Sequence, residues 1–467
     1  MSGVLLPTIF LAALVCGCSD RQSKAQSAYD DYQAALVSGD LGAARAALGK
    51  LVSADDSNPD YWIELGKLSM QLADYGTAYD AYQRAHELDR GNADVLAVMT
   101  QLALRSGNLE IADDNAKQLE LLAPNNPAVS LTKGYIALRR GNYEEANRQV
   151  AAFATVAPYD SSGKVLQARI LMSQNQPKAA VDLLEGQVKQ QPSDATSLKA
   201  LSGIYELLDR WGDSARTLQA YLTWRPEDQQ ARVNLVEAAL RSGQVDAAAA
   251  VTLKAVQKDD VDQVLAPWIS FGKQEIVADR LFEYARGADY GRRIAIARFL
   301  ATTAQPERVI ALTEGAAATP VRPDNVIPNA LYGEAIARSG RTAEGMDRLN
   351  RVIEVDGANR EALRARALLR SAAGLHQKAI EDAQKMVTLD PDSANARLLL
   401  ARIYDAGGDA DGARRTLWDA FHDIGEDQVI YDALKAVVAR TEGADGVGRL
   451  SKEYYDKRLQ QLARSFS

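Results

Sequence analysis

Between residues 59 and 92 the apolar side chains Trp62, Leu65, Tyr82 and Ala85 sit at helical spacing in two runs, with polar residues between them. That spacing predicts two helices, each with one apolar face. Gly66 and Ala78 fall where the two helices approach, and larger side chains there would push them apart. A single hairpin of this kind leaves an apolar face uncovered and needs a neighbour on each side. The chain supplies them. Counting from residue 25, units start again at 59, 93, 127, 161, 195 and 229, one every 34 residues without an insertion.

Three sets of positions keep this register. The close-packing place in the second helix of each unit holds Ala44, Ala78, Ala112, Ala146, Ala180, Ser214 and Ala248. Pro124, Pro158, Pro192 and Pro226 stop second helices and aim the chain into the next unit. Gly107-Asn108, Gly141-Asn142 and Gly243-Gln244 mark turns in which glycine ends a helix by entering the left-handed region. The pattern of aromatic, Leu-Gly, Ala, Tyr and Ala at this period resembles the tetratricopeptide-repeat family. The resemblance implies an all-α fold, a right-handed superhelical solenoid of antiparallel helix pairs with about 10 to 12 units. It also implies a concave groove, lined by the first helix of each pair, along which peptides lie.

The expected organisation runs in six segments. Residues 1–17 read as a leader, 18–24 as a short linker, and 25–262 as seven regular units. Residues 263–325 read as divergent helical hairpins and a proline-rich connection, and the three-proline stretch TPVRPDNVIP at residues 319–328 reads as a loop or bent connection. Residues 326–427 hold three further units, with starts near 326, 360 and 394, and residues 428–467 form capping helices with a solvated outer face.

Composition narrows the function classes. The chain is 47% hydrophobic but only 6% aromatic, as expected where helices pack on small residues. Its net charge of -8 lacks the basic footprint of nucleic-acid binders, so no nucleic acid is expected as a partner. Both cysteines, Cys16 and Cys18, lie in the first twenty residues, so no later thiolate can serve as a ligand or nucleophile. His86, His376 and His422 stand in different repeats without a His or Cys at ligand spacing. No phosphate loop, nucleophile elbow or zinc-protease motif occurs. We therefore expect no enzyme activity, no catalytic or metal-binding residues and no cofactor.

Residues 4–15 form an apolar run of signal-peptide length, although no Lys or Arg precedes it. Val15-Cys16-Gly17-Cys18 resembles the bacterial lipobox, which implies cleavage before Cys18, lipidation of that residue and attachment to a membrane. Ser19 follows it, with Asp20 one place later, and by the same resemblance this favours the outer membrane over the inner.

The groove positions implied by the repeat resemblance are the fifth, the ninth and the twelfth to thirteenth of each unit. They carry Lys67, Arg105, Tyr135, Arg139 and Arg169 in the N-terminal half, and Arg338, Arg364 and Arg402 in the C-terminal half. A row of cations with a tyrosine would suit an acidic segment or an anionic polymer. The chain is similar to the repeat lipoproteins found beside exopolysaccharide-export and protein-sorting systems. The likeness implies a periplasm-facing scaffold for other envelope proteins. Alternatives are a pilus or secretin assembly lipoprotein, or a regulatory subunit of a cell-wall or polysaccharide enzyme.

Overall fold

The structure, a computed structural model, describes the backbone of residues 10–464 except 73, 259, 318, 319, 425 and 426, and side chains between residues 21 and 460. Cys18 and the side chains of the expected leader lie outside the described side chains. The described residues form 26 helices and no strand. The chain divides into two compact units, residues 1–183 with 462–467 and residues 184–461.

The first unit contains α1 (Phe10–Ser38) and α2 (Leu41–Ala54), α3 (Pro59–Gln71) and α4 (Tyr75–Leu88), α5 (Ala93–Arg105) and α6 (Leu109–Leu122), then α7 (Pro127–Arg139), α8 (Tyr143–Val156) and α9 (Ser162–Ser173). The boundary falls within α10 (Pro177–Gln190). The second unit continues with α11 (Ala195–Leu207), α12 (Trp211–Trp224), α13 (Gln229–Arg241) and α14 (Val245–Ala255). Four shorter or shifted helices follow: α15 (Val261–Ser270), α16 (Glu275–Gly287), α17 (Tyr290–Leu300) and α18 (Pro306–Thr313). Regular pairs resume with α19 (Val326–Arg338) and α20 (Thr342–Val355), α21 (Arg360–Ala372) and α22 (His376–Leu389), and α23 (Ala394–Ala406) and α24 (Ala410–Asp423). The chain closes with α25 (Gln428–Thr441) and α26 (Gly443–Arg464).

Local chemistry explains why each hairpin turns where it does. The residue before the second-helix cap has positive φ at Gly39, Gly107, Gly141, Gly243, Gly340, Gly374 and Gly408. At two other hairpins that place holds Asn175 and Asp209, at φ 58° and 55°, the only described non-glycine residues with positive φ. Asn and Asp are the side chains that best tolerate the left-handed region. Next comes a capping residue. Asp40, Asp74, Asn108 and Asn142 each accept a hydrogen bond from the backbone N–H three residues on, a contact that stabilises a helix by about 1 kcal/mol. Second helices α6, α8, α10 and α12 end two residues before Pro124, Pro158, Pro192 and Pro226.

Packing follows the small residues. Ala44, Ala78, Ala112, Ala146, Ala180, Ser214 and Ala248 are all fully buried. A methyl group on Gly66 would lie 2.7 Å from the Tyr82 ring, and one on Gly134 would lie 2.6 Å from Leu166. These contacts set how closely the paired helices and their neighbours approach.

Two stretches differ from the sequence reading. Residues 18–24, expected as a linker, are helical and continuous with α1, because the run from Asp20 to Ser27 holds neither Gly nor Pro to stop it. The proline-rich connection ends earlier than expected. Val326, Ile327 and Pro328 form the first turn of α19, where the N–H that proline lacks has no helical partner anyway. The divergent stretch also contains α15, which carries Pro267 inside it. Its neighbour Trp268 is fully buried and donates to the Thr252 hydroxyl at 2.9 Å. One hydrophobic cluster runs from Val236 through Trp268, Leu281 and Phe299 to Ala335, so the core is continuous across the change of register.

Candidate functional site

In each unit the first helices of successive pairs lie side by side: α5 with α7 and α7 with α9, then α13 with α15 and onward through alternate helices to α25. Within each unit the second helices α2 to α8 and α12 to α24 wedge against the first helix of the next pair. The uncovered side chains of first helices therefore form one wall in each unit. That wall is where the expected groove residues were placed.

On the first unit's wall those residues have different surroundings. Lys67 is exposed, and its ammonium lies 2.6 Å from Glu64 one turn away. That hydrogen bond holds the lysine above its ordinary pKa. Arg105 is exposed, with its guanidinium over the Tyr75 ring at 3.8 Å from the centroid. Arg139 is half-buried, its tip 3.8 Å from where a methyl on Gly107 would sit.

Tyr135 and Arg169 correct the expectation of a continuous solvent-facing row. They are only 4% and 3% exposed. Arg169 donates to the Tyr135 hydroxyl at 2.9 Å. Both stand at the ninth place of successive units, so two large side chains meet across neighbouring first helices and bury each other. Burial raises the Tyr135 pKa, and the nearby Arg169 charge partly offsets that shift.

The second unit's wall neutralises much of its own charge. Asp262 on α15 pairs with Arg298 on α17 at 2.6 Å, and Arg298 also pairs with Glu361 on α21. Arg364, one turn further along α21, lies 3.8 Å from Glu361 and pairs with Glu334 on α19 at 2.5 Å. Glu334 is buried. The chain of alternating charges thus crosses four first helices. Arg338 donates to the carbonyls of Ala301 and Thr303. Arg364 and Arg338 therefore serve cohesion, whereas Arg402 is exposed.

Sequence reasoning missed the groups gathered where α25 and α26 meet α11 and α13. The Arg241 guanidinium lies over both the Trp211 and the Phe271 rings, at 4.6 and 4.7 Å from their centroids. Its edges reach Glu237 at 3.0 Å and Asp432 of α25 at 3.2 Å. Arg458 of α26 donates to the backbone carbonyl of Glu206 at 3.4 Å. The Glu206 carboxylate accepts from Ser214 at 3.0 Å, and burial pushes its pKa up to about 7 despite the opposing pull of that bond and of Arg458. Glu206, Glu237 and Arg241 occupy the twelfth, ninth and thirteenth places of their units, so the positional rule applied to the first half also marks them.

Elsewhere the chemistry is sparse. His422 stacks on Trp418 with centroids 5.5 Å apart and lies 3.8 Å from Glu453. Among the described residues no group of His, Cys, Asp and Glu is arranged to hold a metal ion, and no helix is long and apolar enough to cross a membrane.

Models of the family described as "Tetratricopeptide repeat" match residues 32–93 and 208–262, and a second model with that description matches residues 371–437. Together with the paired helices on a 34-residue period, these matches define a chain of the tetratricopeptide-repeat family, a fold whose members generally serve as scaffolds for protein–protein interaction. Among solved structures it is similar to a tetratricopeptide repeat protein from Parabacteroides merdae, at 14% identity over 52% of this chain and 98% of that one, with a TM-score of 0.38. It is also similar to a thermophilic TPR protein of Thermus thermophilus, at 19% identity over 39% and 100% with a TM-score of 0.35. A third similar structure is Pseudomonas aeruginosa pilF, at 16% identity over 43% and 90% with a TM-score of 0.30. No curated protein sequence matches the chain.

Proposed function

We propose that this chain is a non-enzymatic scaffold of the bacterial cell envelope, anchored through a lipid on Cys18 and facing the periplasm. It gathers other envelope proteins on its first-helix walls, in support of an assembly such as exopolysaccharide export or protein sorting. The observation that carries this reading is the order of the chain. An apolar run ends in Val15-Cys16-Gly17-Cys18, and the repeats begin within ten residues of it. Several acyl chains on one cysteine anchor firmly where a single chain would bind only marginally. Ser19 in place of an aspartate points the anchor toward the outer membrane.

Mass spectrometry of the mature N-terminus from envelope fractions tests the anchor. Diacylated or triacylated Cys18 supports it, and an unmodified N-terminus elsewhere in the chain overturns it. Recovery of partners after crosslinking in detergent-solubilised envelope tests the scaffold. Co-purification of envelope proteins that is lost with Lys67→Glu/Arg105→Glu supports use of the first unit's wall, since those two cations are exposed. Recovery of none overturns the scaffold reading.

A further inference from the structure

In the first unit each second helix ends where the next first helix begins. Turns of four or five residues join α2 to α3, α4 to α5, α6 to α7 and α8 to α9, so these turns lie along one edge of the stack. α1 is a first helix, paired with α2 across the Gly39 turn, and its N-terminal end leaves from the same edge. Its apolar packing begins near Ala25. Cys18 stands seven residues earlier on the same unbroken helix, about 10 Å further out at about 1.5 Å per residue.

The turns along this edge differ in character. The first two expose Asp56, Asp89 and Arg90. The third and fourth are apolar: residues 121–132 and 149–159 contain no charged side chain. Leu121 and Tyr159 are 85% and 91% exposed, and Leu122, Val156 and Pro158 are exposed as well. The charges that flank them are engaged. Glu120 pairs with Lys133 at 2.7 Å, and the Asp160 carboxylate accepts from the Ser162 backbone N–H at 2.8 Å. An exposed apolar patch on a repeat edge marks a contact surface, and its chemistry selects a bilayer. A protein interface carries a polar rim that pairs across the contact, whereas these two turns offer no free charge for pairing. The chain's net charge of -8 is repelled by anionic lipid, and the uncharged turns are where the edge can approach it. Tyrosine at the tip suits the headgroup level, where amphipathic rings collect.

We propose that this edge of the first unit lies against the lipid bilayer, with the α6–α7 and α8–α9 turns seated among the headgroups and the lipid on Cys18 holding the N-terminal end. The proposal rests on the lipid anchor proposed above and deepens it: one edge is given to the membrane and the other to partners. The first helices then stand upright on the bilayer. Arg105, the last residue of α5, is held at the far edge, about 20 Å from the lipid surface for a helix of this length. The wall thus stays open to envelope proteins while its foot is fixed.

The test uses the chain of residues 18–467, with a maleimide phospholipid coupled to Cys18, on vesicles of phosphatidylethanolamine and phosphatidylglycerol. Cys18 is then the only cysteine, so the coupling has a single site. A benzophenone amino acid is placed at position 121, 159 or 110, the last being an exposed site in the first turn of α6, at the opposite edge. On illumination, positions 121 and 159 should give lipid adducts at least about fivefold more often than position 110, because burial of apolar side chains draws that edge into the headgroup boundary. Leu121→Gln/Leu122→Gln, at two exposed positions, should bring the yield at position 159 down to that at position 110. Equal yields at the three positions, adducts to a second copy of the chain in place of lipid, or a yield at 159 untouched by the double substitution each overturns the proposal. The phospholipid is attached chemically, so the result is independent of processing in cells. Failure of the anchor is read from the mature N-terminus and failure of the edge from the adducts, and the two can be told apart.

Discussion

Gly345→Ala is the sharpest probe of how closely the paired helices approach. A methyl group at Gly345 on α20 would lie 2.5 Å from the Ala337 side chain and 2.8 Å from its backbone nitrogen, and closer still to the Gly333 carbonyl oxygen. Ordinary contact begins near 3.4 Å. Two of the three obstacles are backbone atoms of α19, which no rotamer change can move. The helices must separate by about 1 Å, enough to forfeit a quarter to a half of the dispersion energy of each pair across the seam. Overpacking of this kind costs about 1–3 kcal/mol, and the better helix propensity of alanine returns about 1 kcal/mol. The net expectation is a loss of about 0–2 kcal/mol, localised to α19, α20 and the pairs that touch them. Hydrogen exchange is the suitable assay, because repeat arrays often unfold in parts. Gly49→Ala in α2 is the control: nothing lies within 4 Å of the added methyl, and stability should rise by about 0.5–1 kcal/mol. The packing argument would be falsified if both substitutions raised protection equally.

Three further outcomes follow from single sites. Asn175→Gly and Asp209→Gly relieve left-handed strain at the hairpin turns, and each should stabilise by about 0.5–1 kcal/mol in thermal melts; a fall in stability would show that those turns have another conformation. Arg364→Ala leaves the buried Glu334 carboxylate without its partner and should cost about 3–5 kcal/mol, whereas Arg364→Met/Glu334→Leu should be close to neutral; equal effects of the two would contradict the ion-pair geometry. For Glu206 the folded chain keeps its proton up to about pH 7, whereas the unfolded chain releases it near 4.5. Between those values the folded state binds more protons, so this group's contribution to stability falls as pH rises. Glu206→Gln should therefore stabilise at pH 8, by up to about 3 kcal/mol, and make no difference below about pH 4. A stability gap independent of pH would refute the buried carboxyl.

The repeats were legible because each unit solves the same local problem. A small residue at the crossing, a left-handed turn residue and a terminating proline recur every 34 residues, and the second helices from α4 to α14 keep that interval between starts. What spacing could not show is which large side chains at groove positions meet one another. Tyr135 and Arg169 share a place in successive units, and their mutual burial depends on both being large. The same place in the following unit is Gly203, around which nothing lies within 4 Å of an added methyl. Nor could a nearest-neighbour pattern reveal α15, whose Pro267 argues against a helix, or the reach of Arg458 to Glu206. Contacts over more than 250 residues leave no period in the sequence.

The thirteenth position shows how one residue type can serve both cohesion and recognition. Arg105 lies over Tyr75 and Arg241 over Trp211, in each case an aromatic 30 residues earlier, at the start of the preceding second helix. A guanidinium stacked by its face keeps its in-plane N–H groups, and these are what a carboxylate binds. Arg241 has used them on Glu237 and Asp432, within its own chain. Arg105 is exposed, and the ring beneath it restricts its rotamers before any ligand arrives, which lowers the entropy lost on binding. Lys67 already engages Glu64, and Arg169 engages Tyr135. An acidic partner on the first unit's wall would therefore meet Arg105, held ready by Tyr75, and not a uniform row of charge.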